Sequence, residues 1–170
     1  GLMLMGITLL YGSAGSFYMS AMNIGMLELS PVMALGIVLM MVSMAFKASA
    51  APFHFWTPDV YDGSPTVFTS FMATVVKAAV FIAFLRLFEN AFGKMHCQWQ
   101  LLAAIITAVT LIIGNVTAVF QQSVKRMLAY SSIAQAGFMM LALFAMNGMG
   151  KQGLILYTAA YSLATIGLFA

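Results

Sequence analysis

The stretch from Ser30 to Trp56 reads SPVMALGIVLMMVSMAFKASAAPFHFW, and it contains the features that decide the fold. Ser30 followed by Pro31 predicts a helix start, because serine is a common N-cap and proline is tolerated at the first helical position. The apolar residues that follow are numerous enough to cross a bilayer, which takes about 20 residues. Pro52 lies inside this stretch, and a proline in a helix removes a backbone donor and clashes with the preceding turn. We therefore predict a membrane-spanning helix that is broken between Ala48 and Pro52.

The composition of the whole chain extends this prediction. Of 170 residues, 63% are hydrophobic and 6% are charged, whereas about a quarter of the residues of a soluble domain are charged. A water-soluble fold is excluded, and the surface must face lipid or other apolar protein. The net charge of +3 is too small to indicate a nucleic-acid partner. We predict one all-α, polytopic transmembrane bundle over residues 1–170, with about six helices of which the first and last are truncated.

Clusters of turn-forming residues divide the rest of the chain. The densest cluster runs from Thr57 to Pro65, and we expect a tight polar loop at the membrane surface there. Residues 90–98 are expected to form a second loop, followed by Trp99 as an interface anchor. Lys125 and Arg126 are interpreted as surface anchors. Further spans are predicted over residues 66–88, 101–120 and 127–146.

Two lysines fall inside apolar stretches, where a charged side chain is costly. Lys47 lies twelve residues before Asp59 and Lys77 lies twelve residues after Pro65, so both are about 18 Å of helix from the same predicted loop. A lysine at mid-membrane costs about 2.5–3.5 kcal/mol on insertion scales, so it needs a partner, a water-filled cavity or the loss of its proton. Such a lysine can take up and release protons, and we predict this role for both. The alternative is snorkelling, in which the long side chain reaches the interface.

The acidic residues of the chain do not pair with these lysines at mid-membrane depth. All four lie at the ends of predicted segments: Glu28, Asp59, Asp62 and Glu89. We therefore expect an acidic partner from sequence outside this chain.

Other polar side chains in or near the predicted spans are further candidates. His54 follows Lys47 by seven positions, and we leave a proton relay and a structural role open. One predicted span carries a polar stripe, which favours hydrogen bonds between helices, with bound water as the alternative. The stripe consists of Tyr130, Ser131, Ser132 and Gln135.

Two long motifs carry a resemblance to a known family. The first, from Phe46 to Thr66, reads FKASAAPFHFWTPDVYDGSPT, and the second, from Lys125 to Gly137, reads KRMLAYSSIAQAG. Their content and order resemble the proton-antiporter-like membrane subunits of respiratory complex I. Trp-Thr-Pro-Asp-Val-Tyr followed by Gly-Ser-Pro-Thr is similar to the N-type subunits of NADH–quinone oxidoreductase, whereas L- and M-type relatives more often read Trp-Leu-Pro-Asp-Ala. The signature positions of the first motif are Trp56, Pro58, Asp59, Tyr61, Gly63 and Pro65.

The resemblance implies a fourteen-helix subunit built from two inverted five-helix repeats, of which this chain holds roughly the sixth to the eleventh helix. It implies that Lys47 is the lysine of the broken seventh helix and that Lys77 is the eighth-helix lysine of the proton pathway. A glutamate partner would precede the chain and a third lysine would follow it. It also implies that the segment from Asp59 to Pro65 faces the cytoplasm or matrix. Many relatives carry histidine where Gln135 stands, and because glutamine does not titrate, we expect no proton relay there, although it can orient water.

The implied function is proton translocation in an enzyme complex, the H⁺-translocating NADH:quinone oxidoreductase of a bacterial inner membrane. NADH, flavin, Fe–S clusters and quinone are then expected in partner subunits, and the expected partners of this chain are the other membrane subunits of complex I and the lipid bilayer. No cofactor or metal is expected in this chain, since Cys97 is its one cysteine and His96 beside it has no supporting ligands. Two alternatives remain open: a cation/proton antiporter or membrane-bound hydrogenase subunit of the same superfamily, and a structural membrane scaffold with snorkelled lysines.

Overall fold

The computed structural model describes residues 1–24 and 30–169, and these ranges are almost entirely helical. Helices account for 87% of the chain and the described ranges contain no strand, so the prediction of an all-α fold is confirmed. Glu28 lies outside the described residues. A π-helical turn (Met72–Val76) joins α5 to α6, and a 3₁₀ turn (Gly93–Met95) joins α6 to α7. The α-helices of the described ranges are α1 (Leu2–Ala14), α2 (Met19–Ile24), α3 (Pro31–Ala48), α4 (Trp56–Gly63), α5 (Thr66–Phe71), α6 (Lys77–Phe92), α7 (His96–Val119), α8 (Val124–Ala145) and α9 (Gly148–Phe169).

Within the described ranges, four segments are long and apolar enough to cross a membrane. Three of them are the single helices α3, α8 and α9, and α1 is a shorter apolar helix. The fourth segment, Thr66–Val119, is 54 residues long. As a straight helix it would measure about 80 Å, far more than the bilayer core of about 30 Å. The polytopic prediction is therefore confirmed, and this long segment must turn back within itself.

The turn lies at residues 90–98, which form helix and one 3₁₀ turn rather than the predicted loop. Phe88 and Trp99 are eleven positions apart, yet their ring centroids lie 5.0 Å from each other, edge to face. The indole N–H of Trp99 donates to the carbonyl of Phe92 at 3.1 Å. Trp99 is only 3% exposed, so its prediction as an interface anchor is wrong. Packing of the aromatic rings in the corner outweighs the preference of tryptophan for the membrane interface.

The helix that contains Lys47 is broken where the sequence predicts it. α3 ends at Ala48, and Ser49 adopts a left-handed conformation with a φ of 63°. The backbone N–H of Ala50 donates to the carbonyl of Ala45 at 2.8 Å, which closes the end of α3. The chain becomes α-helical again only at the start of α4. The predicted break between Ala48 and Pro52 is confirmed.

The segment from Thr57 to Pro65 is not the loop that its turn-forming residues predict, because most of it belongs to α4. Pro58 lies in the first turn, where a helix does not need its backbone N–H, and Asp59 interacts favourably with the positive end of the helix. Tyr61 is 2% exposed, so burial of one helix face decides the conformation. The remaining turn is at Ser64, before α5. Five signature residues therefore lie in a helix: Trp56, Pro58, Asp59, Tyr61 and Gly63.

Two glycines set the close approach of α7 and α8. A Cβ atom at Gly114 would lie 2.7 Å from the backbone nitrogen of Ala134, and one at Gly137 would lie 2.8 Å from side-chain carbons of Leu111. Both distances are shorter than van der Waals contact. At Gly114 the neighbour is backbone, so only glycine permits this packing, whereas at Gly137 the Leu111 side chain would have to shift. The close contact fixes the rotation of α8 and thereby the direction in which its polar stripe points.

Candidate functional site

The clearest functional candidate in the interior is Lys77. It is the first residue of α6 and follows the π-helical turn directly, and π-bulges are frequent at functional sites. Its side chain is 3% exposed. The ammonium group donates to the backbone carbonyl of Ser132 at 2.6 Å and to the Oγ of Ser132 at 2.5 Å. Ser132 lies about 12 Å along α8 from the start of that helix, so the Lys77 side chain ends inside the bundle and does not snorkel.

Ser132 joins Lys77 to two tyrosines from other helices. The hydroxyl of Tyr161, on α9, donates to the Oγ of Ser132 at 3.0 Å. The hydroxyl of Tyr61, on α4, lies 3.4 Å from the same Oγ. Four helices thus contribute to one hydrogen-bonded cluster around a buried amine. We call the set Lys77, Ser132, Tyr61 and Tyr161 the lysine cluster.

A cavity of about 180 Å³, with polar and apolar residues in its wall, adjoins the lysine cluster, and we call it the polar cavity after the hydroxyl and amide groups that line it. Tyr61, Ser132 and Tyr161 reach its wall, together with Ser131 and Gln135 of the predicted polar stripe. At about 30 Å³ per molecule, this volume has room for several waters, and the wall supplies the polar partners that buried water needs. The Ser132 hydroxyl therefore lies between the Lys77 ammonium and this cavity.

The other residues of the polar stripe have separate contacts. Gln135 accepts a hydrogen bond from the hydroxyl of Tyr157 on α9. This contact bridges α8 and α9 and agrees with the default interpretation of the stripe as helix-to-helix hydrogen bonding. Tyr130 is half-buried, and its ring lies 6.2 Å from the ring of His54.

Lys47 lies in the last turn of α3, just before the break, where its positive charge is favourable at the negative end of the helix. Its side chain is exposed and lines a cavity of about 720 Å³ between α1, α2, α3 and α6, whose wall is otherwise apolar. Among the described residues, no carboxylate pairs with Lys47. Lys47 and Lys77 lie on helices that pack together, but their ammonium groups take different directions, one toward this cavity and the other toward α8.

His54 is a buried residue in the segment that joins α3 to α4. It is 5% exposed, and its ring stacks on Phe55 with a centroid distance of 4.9 Å. Its Nδ1 has no hydrogen-bond partner among the described residues. Among the described residues, no hydrogen bond or aromatic pair joins His54 to the lysine cluster, so a relay role for His54 stays a prediction.

The break itself is stabilised by Thr110 of α7, a residue that the sequence did not single out. Its Oγ1 accepts a hydrogen bond from the backbone N–H of Ala51 at 2.9 Å. Both residues are 0% exposed, so water cannot take over this contact. On the other side of the break, the indole of Trp56 donates to the carbonyl of Phe46 at 3.1 Å. A threonine in an apolar span gives no sequence signal for such a role.

The two sequence motifs meet at one end of the bundle. Arg126 pairs with Asp59, and its Nε lies 3.5 Å from a carboxylate oxygen of Asp62. Lys125 donates to the carbonyl of Ser64 at 3.1 Å. The interpretation of Lys125 and Arg126 as anchors to the surface is therefore incomplete, because they hold the N-terminus of α8 against α4. We call this contact the α4–α8 clamp.

The comparisons with known proteins cover the whole chain. The profile of the family described as "NADH:quinone oxidoreductase/Mrp antiporter, TM" matches residues 1–170. The NADH-quinone oxidoreductase subunit N of Desulforamulus reducens is 44% identical over 98% of this chain and 36% of its own length. The NAD(P)H-quinone oxidoreductase subunit 2 of a Synechococcus species is 45% identical over 98% of the chain and 32% of its own length. The chain thus spans about a third of these curated relatives.

A solved structure agrees with these relatives. A chain of respiratory complex I from Thermus thermophilus superposes with a TM-score of 0.76 at 43% sequence identity, over 99% of this chain and 36% of that chain. The superposition covers nearly all of the residues described above.

Proposed function

Because the chain belongs to the family of NADH:quinone oxidoreductase and Mrp antiporter transmembrane proteins, we propose that it is part of a proton-translocating subunit of an NADH–quinone oxidoreductase. The observation that carries the proposal is Lys77, a buried amine held by Ser132 beside a polar cavity. A purely structural lysine has no need of such a site, since burying an ammonium group is costly and a neutral side chain would pack at lower cost.

In this proposal Lys77 alternates between its charged and neutral forms. The Ser132 carbonyl and hydroxyl stabilise the ammonium form, while burial favours the neutral amine. A change of charge on a neighbouring group shifts the balance between these two forms, and the proton enters or leaves through water in the cavity. Few side chains can do this inside a membrane, and lysine can because its amine loses a proton more readily than a guanidinium.

Lys47 is proposed as the second proton-transferring group. It lies at the end of α3 beside the break, where non-helical backbone supplies polar groups at membrane depth. Its side chain is open to the large cavity, so an acidic partner from the rest of the protein has room to approach it. Proton passage between Lys47 and Lys77 would then run through water between α3 and α6.

The driving force is proposed to come from electron transfer in partner subunits. NADH, flavin, Fe–S clusters and quinone are assigned to those subunits, and this chain contributes the proton path. The other membrane subunits of the complex and the lipids of a bacterial inner membrane are its proposed surroundings. The exposed apolar faces of α7 and α9, which include Leu101, Ile112 and Leu163, are suited to such contacts.

The test is replacement of Lys77 in the assembled complex. Lys77→Ala is expected to abolish proton pumping in proteoliposomes supplied with NADH and quinone, and Lys77→Arg is expected to impair it because the guanidinium does not deprotonate. Lys94→Ala, which removes an exposed lysine in the 3₁₀ turn that follows α6, is the matched control and should pump normally. Assembly is checked by native electrophoresis. Full pumping by Lys77→Ala would overturn the proposal and favour a scaffold role.

A cation/proton antiporter is the second candidate, because the family description names the Mrp antiporter beside the oxidoreductase. The two functions share the proton path and differ in what drives it. Sodium-dependent proton movement in vesicles without NADH and quinone would favour the antiporter. Proton movement that requires NADH and quinone and does not depend on sodium would favour the oxidoreductase.

A further inference from the structure

We propose that Ser132 transfers the proton between Lys77 and the polar cavity, with the Tyr61 hydroxyl as the next group in the path. The inference rests on the proposed function and deepens it, since it assigns the route by which Lys77 exchanges its proton. It is carried by the geometry around one hydroxyl group, which lies 2.5 Å from the Lys77 ammonium, 3.0 Å from the Tyr161 hydroxyl and 3.4 Å from the Tyr61 hydroxyl.

The hydrogen-bonding capacity of serine determines the direction of these contacts. A serine hydroxyl has one hydrogen to donate and two lone pairs that accept. Charged Lys77 can only donate to it, and Tyr161 donates to it as well. Both accepting positions of Ser132 are therefore filled, and its own hydrogen is left for Tyr61.

This arrangement allows a proton transfer in which every atom is accounted for. The Lys77 ammonium gives one proton to the Oγ of Ser132, while the original Ser132 hydrogen passes to the Tyr61 oxygen. The original Tyr61 hydrogen passes to a water molecule in the cavity. The products are a neutral Lys77 amine, two intact hydroxyl groups and one hydronium ion. The reverse sequence charges Lys77 again.

Two further features of the lysine cluster suit Ser132 to this role. Its backbone carbonyl also binds the Lys77 ammonium, at 2.6 Å, and this oxygen takes no part in the transfer. The amine therefore stays in place while the hydroxyl reverses its hydrogen bonds. Tyr61 is 2% exposed and lines the cavity, so it is a buried side chain that contacts both Ser132 and the cavity.

The experiment measures proton pumping and its solvent deuterium isotope effect in proteoliposomes of the assembled complex. Ser132→Ala removes the hydroxyl and keeps the carbonyl, and we expect pumping to fall about tenfold or more. Tyr61→Phe keeps the buried ring and removes only the hydroxyl, and pumping should also fall. In both variants the isotope effect should change, because a step that transfers protons becomes slower and limits the rate.

The double variant tests whether the two hydroxyls act in one path. If they do, the double variant Ser132→Ala with Tyr61→Phe should pump no worse than Ser132→Ala alone. If the two hydroxyls act independently, the fold-losses of pumping in the two single variants should multiply in the double variant. Two matched controls remove hydroxyls elsewhere. Ser43→Ala affects a buried serine that donates only to Leu39 of its own helix, and Tyr11→Phe affects a half-exposed tyrosine on α1. Both should pump normally.

The outcomes separate this inference from the proposed function. Normal pumping by Lys77→Ala overturns both. Loss of pumping by Lys77→Ala with normal pumping and an unchanged isotope effect in Ser132→Ala overturns the Ser132 route alone. A third outcome is loss of pumping in Ser132→Ala, normal pumping in Tyr61→Phe, and a double variant that pumps no better than Ser132→Ala. This outcome would show that Ser132 only positions Lys77, and it would also overturn the route. Assembly of every variant is verified by native electrophoresis. If Ser132→Ala fails to assemble, the pumping and isotope effect of Tyr61→Phe still test the route.

Discussion

Replacing Thr110 by valine should loosen the helix break without changing the shape of its surroundings. Valine has the size of threonine but no hydroxyl, so the buried N–H of Ala51 loses its acceptor at 2.9 Å. Both residues are 0% exposed, and a buried donor left without a partner costs about 1–3 kcal/mol. The Thr110 hydroxyl also donates to the carbonyl of Ile106 at 2.6 Å and lies 3.4 Å from the carbonyl of Ala51. The Ile106 carbonyl lies one turn back in α7 and keeps the backbone N–H of that turn as a donor.

The lost hydrogen bond should make local opening of the break more frequent, and the hydrogen-exchange rate of the backbone measures how often this opening occurs. At about 1.4 kcal/mol per factor of ten, 1–3 kcal/mol corresponds to hydrogen exchange about 5- to 150-fold faster. Mass spectrometry of deuterated complex measures this rate in a peptide that contains Ala51. Thr107→Val is the matched control, since Thr107 is buried on the same helix and donates only to Ala103. Unchanged exchange in Thr110→Val, or an equal acceleration in Thr107→Val, would refute the reasoning.

The remaining predictions concern the packing that surrounds the lysine cluster. Gly114→Val places side-chain atoms against the backbone of Ala134, so it should destabilise the α7–α8 contact by about 1–3 kcal/mol. The melting temperature of the complex should therefore fall. Gly153→Ala is the control, because a Cβ atom at Gly153 meets no atom within 4 Å, and it should leave the melting temperature unchanged. Equal melting temperatures for the Gly114→Val and Gly153→Ala complexes would contradict this prediction. Arg126→Gln should weaken the α4–α8 clamp by at most about 1 kcal/mol, because the pair with Asp59 is partly exposed, and the loss should shrink at high salt. A salt-independent loss would show that the clamp is not ionic.

The helix break shows how far local sequence rules extend. Ser30 with Pro31 marks the start of α3 and Pro52 marks its interruption, because capping and the missing proline N–H act within one helical turn. The same rules fail for α4, where turn-forming residues are helical because Tyr61 is buried. They also fail for Trp99, whose burial depends on an aromatic corner formed with Phe88. Local preferences are worth fractions of a kcal/mol per residue, and burial of an aromatic side chain outweighs them.

The sequence by itself determined that this chain is a membrane helix bundle, where its main helices run and which two lysines lie within apolar stretches, because hydropathy, helix caps and proline act locally. Its motifs also indicated the family. Only the tertiary structure decided that Lys77 meets Ser132, 55 positions away, and that Thr110 closes the break at Ala51, 59 positions away. These contacts depend on how each helix is rotated about its axis, and that rotation is set by close contacts such as Gly114 against Ala134. Hydropathy indicates that a helix is buried, but it does not indicate which side chain faces which.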